Sequence, residues 1–536
     1  MTYDALSYSH PSRRFMRYGH KGMVATSQPL AAQAGLDMLR QGGNAVDAAI
    51  ATAACLTVVE PTSNGIGGDA FALVWLDGKL HGLNASGQCP QGLSIDRLRA
   101  DGHETMPQQG WMTVTVPGTP SAWAALSERF GVLPFERLFE PAIAHARDGF
   151  AIAPMLGKLW QKAAESFART LSGPEFAPWF ETFTRNGAAP EIGSVWRSPD
   201  QAATLARIAA SGARDFYEGQ LAEKIDAFAR QFDAPLRAAD LAAHRPEWVT
   251  PISTTYRDHE VWQIPPNGQG IIALMALNIL KAANFAPGDE CERQHALIEA
   301  LKAAFVDGQM HIADPAHGPV PTDWMLSDAY ARARLSDIGP TAADPQPVGM
   351  RPGGTVYLAA ADGQGNMVSL IQSNYKGFGS GVVVPGTGIA LHNRGREFSL
   401  DAGHPNALAP GKRPYHTIIP GFLTRGGRAV GPFGVMGGYM QPQGHLQVLS
   451  NMLDLGMNPQ AALDAPRWLW QGGRRIAVEP HFPSDIAQRL ARRGHAVQPQ
   501  LDETGFGRGQ IIQRDDATGV LAGGTDPRTD GEAAIL

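Results

Sequence analysis

Residues Gly353-Gly354-Thr355 run straight into the unbroken apolar stretch Val356-Tyr357-Leu358-Ala359-Ala360-Ala361, and this junction constrains the chain more than any other part of it. Two glycines let the backbone bend sharply just before a buried strand begins. A hydroxyl at the first position of such a strand is placed to attack the peptide bond on its own N-terminal side. Breakage of the Gly354-Thr355 bond would give Thr355 a free α-amine. That amine can act as general base for its own side chain, the N-terminal-threonine form of a nucleophile paired with a base. After Asp362, Gly363-Gln364-Gly365-Asn366 reads as a turn and Met367 to Tyr375 as a return strand, so the junction opens a hairpin. Turn and strand grammar alone favours a structural hairpin with no chemistry.

Elsewhere helix and strand signals alternate without repeats. Gln28 to Gln41 reads as a helix closed by Gly42-Gly43, and Ala45 to Val58 as a second, apolar nearly all round and hence buried. Residues 290 to 313, carrying Glu299, Lys302 and Asp307, form another, and His445 to Leu455 a short one. Gly339-Pro340-Thr341-Ala342-Ala343-Asp344-Pro345-Gln346-Pro347 lacks periodicity and is a loop by composition, leading directly into the Thr355 junction.

Composition sets limits on partners. With 536 residues, 43% of them hydrophobic, the chain can bury a large core, and length alone suggests several domains. A net charge of −6 with scattered basic residues leaves no electrostatic footprint for nucleic acid. Arg13, Arg14, Arg17 and Lys21 precede no apolar stretch, so no secretory signal is expected; Ala45 to Val59 contains Asp47 and is too short to span a bilayer. These features predict a cytoplasmic protein without a membrane partner. Cys55, Cys89 and Cys291 read as packing residues or free thiols. His295 with Glu299, and Asp307 with His311, lie four apart, but no third ligand follows at a recognisable spacing, so neither a metal nor a cofactor is predicted. Gly65-Ile66-Gly67-Gly68 resembles a phosphate cradle but lacks a following Lys-Ser/Thr and reads as a structural turn, while Lys412-Arg413 before Pro414 reads as a loop anchor.

Six segments occur in a characteristic order. They are Val24-Ala25-Thr26-Ser27-Gln28-Pro29-Leu30-Ala31, Gly42-Gly43-Asn44-Ala45-Val46-Asp47-Ala48-Ala49, Glu60-Pro61-Thr62-Ser63-Asn64-Gly65-Ile66-Gly67-Gly68-Asp69, Val116-Pro117-Gly118-Thr119-Pro120, the Thr355 hairpin and Val435-Met436-Gly437-Gly438. Together they resemble the γ-glutamyltransferase family of N-terminal nucleophile hydrolases, over nearly the full length. The resemblance implies an α/β (α+β) fold, one four-layer αββα sandwich woven from two autoproteolytic fragments, 1–354 and 355–536. The fragments stay together as a heterodimer, alone or as a dimer of heterodimers. It also implies roles. Thr355 matches the nucleophile and Gly354-Thr355 the cleavage site. Ser373 matches a threonine whose hydroxyl bonds the nucleophile, and Gly437 and Gly438 match the pair whose N–H groups form the oxyanion hole.

The substrate pocket departs from the family pattern. The arginine that clamps the substrate α-carboxylate falls on Ser86, paired serines fall on His416 and Thr417, an asparagine has become Tyr375, and a Gln and an Asp that hold the glutamyl amino group fall on Arg394 and Glu397. These changes resemble the acylase and amidohydrolase branches. A cation at Arg394 suits a carboxylate approached from a new direction. The implied substrate is a small amide bearing a carboxylate, with hydrolysis of oxamate to oxalate and ammonia the leading expectation. Glutaryl-cephalosporin-type acylase activity, γ-glutamyl transfer or glutathione hydrolysis, and a non-catalytic ligand-binding relic remain alternatives.

Overall fold

Alternation of side chains along the Thr355 hairpin decides the layer order. On the strand Gly354–Asp362, Val356, Leu358 and Ala360 join a core shared with helices, whereas Tyr357, Ala359 and Ala361 join a second core on the opposite face. In this computed structural model, which describes residues 14–283, 288–346 and 353–536, the strand lies in a seven-stranded sheet. Its order is Glu532–Ile535, Gly22–Thr26, Gly354–Asp362, Met367–Tyr375, Asp69–Leu76, Lys79–Asn84 and Glu247–Val249. The second core separates it from another seven-stranded sheet, ordered Arg17–Gly19, Leu521–Thr525, Arg508–Arg514, Arg428–Met436, Gly421–Arg425, His259–Gln263 and Ile252–Tyr256. All pairings in both sheets are antiparallel.

Helices cover both outer faces. Pro29–Arg40 and Ala45–Val59 pack on the first sheet; Gly270–Leu280 and Met440–Leu453 pack on the second, and Glu290–His311 packs against those two helices. Every residue of Ala45–Val59 is buried, as its all-round apolar pattern predicts. The Asn44 side chain accepts from the Val46 and Asp47 amides and the Asp47 carboxylate accepts from the Asn44 amide, a capping box that sets the helix start. The result is the expected αββα sandwich, not the several domains that length suggested. Both sheets mix strands from before and after residue 354.

Two boundaries differ from expectation. The helix read from His445 starts at Met440, because Pro442 sits in its first turn where no N–H partner is needed. That helix therefore begins immediately after Gly437-Gly438-Tyr439. The helix read to residue 313 ends at His311. Residues 339–346 form no helix or strand, and the rest of that loop, 347–352, lies outside the described residues.

Candidate active site

Thr355 and Ser373 stand at one end of the hairpin, on the face that looks toward the other sheet. The pairing register shifts between Gly354 and Val356, so Thr355 stands opposite a bulge at Ser373-Asn374 on the return strand. Thr355 Oγ1 and Ser373 Oγ are 3.1 Å apart, and each lies 2.7 Å from the Gly354 carbonyl oxygen. The Tyr375 N–H donates to Ser373 Oγ at 2.8 Å. Each hydroxyl has one proton. When Ser373 gives its proton to the Gly354 carbonyl, Thr355 can donate to Ser373 and turn a lone pair toward the carbonyl carbon. Both residues are fully buried.

Gly437 and Gly438 lie beside this bond. A Cβ built on Gly353 would come 3.4 Å from Gly438 Cα, so the turn after Arg428–Met436 touches the segment leading into the junction. Gly437 has φ +140° and Gly438 φ +62°, conformations that only glycine adopts freely. Their carbonyls accept from the Met440 and Gln441 amides and start the helix. Among the described residues neither glycine N–H has a protein acceptor. Gln269, which the sequence did not single out, ties the turn down: its Nε2 donates to Gly438 O at 2.9 Å and Thr417 O at 2.8 Å.

Arg394 is fully buried in the short turn Arg394–Glu397. Its guanidinium lies 4.2 Å over the Tyr375 ring and donates through Nη1 to Thr417 Oγ1 at 2.7 Å. Among the described residues, Nε and Nη2 are buried without a hydrogen-bond partner. An ion pair with Glu397 does not form, because both carboxylate oxygens of Glu397 are taken by the hydroxyls of Tyr375 and Tyr439. Burial pulls the Arg394 pKa below its ordinary value, against the opposing effect of Asp69. Tyr375, at φ +71°, holds a backbone conformation unusual for a residue with a side chain. Burial, and then the Glu397 charge, raise its phenol well above the ordinary range.

His416 donates Nε2–H to Asp69 at 2.9 Å, and its Nδ1 accepts from the Ile418 amide at 3.3 Å, so both ring nitrogens are engaged. Burial, reinforced by Arg394, lowers its pKa to about 3 and keeps the ring neutral. Burial alone would raise the Asp69 carboxyl, but His392 and His416 beside it hold it well below the usual carboxylate range. Ser86 donates to Asn84 Oδ1 at 2.7 Å and accepts from Asn267 Nδ2 at 3.2 Å, so its hydroxyl is used inside the protein. Arg413 donates to the Ser86 carbonyl at 3.0 Å and pairs with Glu247 at 2.8 Å, which makes it the anchor expected and leaves it committed.

A cavity of about 580 Å³ adjoins the site, lined among others by Met106, Arg396, Glu397, Phe398, Tyr415 and Tyr439. The Gly65–Gly68 turn is structural as read: Gly68 O accepts from the Gly118 and Thr119 amides. The three cysteines are buried and free. His295 and Glu299 are buried, and His495 supplies a third group that spacing could not reveal. His295 Nδ1 lies 2.8 Å from His495 Nε2, but Lys302 already neutralises Glu299 at 2.8 Å, so the cluster reads as a tie between helix and loop. Asp307 is likewise occupied by Arg334 and the Tyr330 hydroxyl. Among the described residues no helix is long and apolar enough to cross a membrane.

An amide hydrolase of the N-terminal nucleophile class is the kind of protein that this layering and this hydroxyl pair describe. Comparison with known proteins agrees. The chain belongs to the gamma-glutamyltranspeptidase family, whose pattern it matches over residues 31–536. It is 38% identical to a glutathione hydrolase-like YwrD proenzyme of Bacillus subtilis over 96% of this chain and 98% of that one. It is 35% identical to an oxamate amidohydrolase proenzyme of Klebsiella pneumoniae, over 96% and 98% of the two chains. The crystal structure of a cephalosporin acylase from Bacillus halodurans superimposes with a TM-score of 0.97 at 57% identity, covering 100% of this chain and 99% of that one.

Proposed function

We propose that this chain cleaves itself between Gly354 and Thr355 and then hydrolyses a small amide whose acyl part carries a carboxylate, oxamate being the first substrate to test. The observation that carries the substrate reading is the buried Arg394 guanidinium, its Nε and Nη2 unpartnered among the described residues, stacked on the residue whose amide holds Ser373. A buried guanidinium with unmet donors is costly, and a substrate carboxylate supplies the missing acceptors.

In the cleavage step Thr355 Oγ1 bonds to the Gly354 carbonyl carbon while its proton passes by way of Ser373 to the Thr355 nitrogen. The C–N bond then breaks toward the Thr355 amine, leaving an ester that water hydrolyses. Gly353 lies against Tyr375, with a built Cβ 3.4 Å from Tyr375 Cε2, so departure of this segment uncovers the ring under Arg394. The two fragments stay joined because their strands interleave in both sheets. In turnover the new amine takes the Thr355 hydroxyl proton, Thr355 Oγ1 attacks the substrate amide, and the Gly437 and Gly438 N–H groups receive the oxyanion. The leaving amine departs protonated, and water releases the acid from the acyl-enzyme.

The oxamate amidohydrolase relative supports the first reading. A glutaryl-cephalosporin-type acylase is the second, favoured by a cavity of about 580 Å³, far larger than a leaving ammonia needs, and by the cephalosporin acylase likeness. A screen of the processed enzyme against oxamate, short ω-amides, glutaryl amides and γ-glutamyl compounds separates them. Activity on none of the carboxylated amides would reject the substrate reading.

A further inference from the structure

We infer that Arg508 and Glu60, with Ser63, are a positioning set for self-cleavage, an inference that rests on the cleavage reading above. Glu60 closes the helix Ala45–Val59 and opens the turn Pro61-Thr62-Ser63, which walls the junction. A Cβ built on Gly354 would meet Thr62 O and Ser63 Cα at 3.4 Å. One guanidinium holds both ends of that turn: Arg508 Nη1 lies 3.1 Å from Glu60 Oε1, and Nη2 donates to Ser63 Oγ at 3.1 Å. The Ser27 hydroxyl donates to the other Glu60 oxygen.

The backbone that carries Arg508 supports the opposite wall. Arg508 is the cross-strand partner of Met436, the residue before Gly437, and a Cβ built on Gly437 would lie 3.3 Å from Gly507 Cα. The fork therefore spans from the turn beneath the Gly354 peptide to the glycine turn beside it. It also joins residues on the two sides of the cleavage site. Both charges are nearly fully buried, with side chains 9% and 4% exposed. Buried ion pairs seldom add net stability over apolar replacements, so the gain is sought in geometry.

The test measures cleavage and folding separately. Precursor freshly made by cell-free translation is sampled over time for loss of the full-length band, and each variant is also made in a Thr355→Ala chain for thermal melting. Arg508→Lys keeps the charge but not the fork; Ser63→Ala removes one arm and leaves both charges paired. Both are expected to cleave roughly ten-fold or more slowly, as loss of a charged hydrogen bond implies, while the Thr355→Ala partners melt within a few degrees of their parent. If Arg508→Lys does not fold, Ser63→Ala alone carries the test. Cleavage at the parent rate, or slowing only in proportion to unfolded chain, overturns the inference. A parent chain that never cleaves rejects the underlying reading instead.

Discussion

Replacing Arg394 by Gln or Lys is the perturbation on which the substrate reading turns. The guanidinium offers a carboxylate two buried donors, Nε and Nη2, that are unpartnered among the described residues, while Nη1 stays on Thr417. A hydrogen bond to a charged group contributes about 1.5–3 kcal/mol, so losing two coupled ones should cost about 3–4 kcal/mol, or roughly 150- to 900-fold in kcat/KM. The assay compares a carboxylated amide with its uncharged ester in the processed enzyme. The Gln variant should lose that factor on the acid and little on the ester. Lys keeps the charge without the fork and should fall between. Folding should hold, since Glu397 keeps its two tyrosine hydroxyls and Asp69 its His416. Equal losses on both substrates, or failure to fold, would assign Arg394 to structure and leave the carboxylate without an identified partner.

Other outcomes are expected. Thr355→Ala should run as one 536-residue band, and fragments ending at Gly354 in that variant would remove Thr355 from the cleavage step. Ser373→Ala loses contacts to both Thr355 Oγ1 and Gly354 O and should slow cleavage by roughly ten-fold or more on the same gel; an unchanged rate refutes the relay. With Ser86 in place of an arginine clamp, transfer from a γ-glutamyl anilide to glycylglycine should be roughly ten- to a hundred-fold poorer than hydrolysis of the preferred carboxylated amide, and efficient transfer contradicts the pocket argument. His445 is held neutral by burial, its pKa lowered from 6.5 to about 3. As pH falls below 6.5 the unfolded chain takes the proton first, so stability is complete above that pH and is lost at up to about 1.4 kcal/mol per pH unit toward 3. His445→Gln should flatten the decline in urea midpoint between pH 6 and 4 in the Thr355→Ala chain, and an unchanged slope refutes the assignment.

By itself the sequence determined what depends on neighbours in the chain. The Thr355 hairpin, the buried helix Ala45–Val59 and the long helix from Glu290 were legible because apolar periodicity, caps and turn residues act over a few positions. Motif order placed Thr355, Ser373 and the glycine pair, which the fold brings to one end of the hairpin. Only the tertiary structure decided which polar groups are spent and which are free. Glu397 stands three residues from Arg394, a spacing that suits an ion pair, yet Tyr375 and Tyr439 occupy both its oxygens. His416 is used up by Asp69, 347 positions away, and His495 meets His295 across 200. The physical reason is that each donor or acceptor can be satisfied only a few times. Which partner claims it depends on elements distant in sequence, so the open edge of Arg394 is a property of the packed fold.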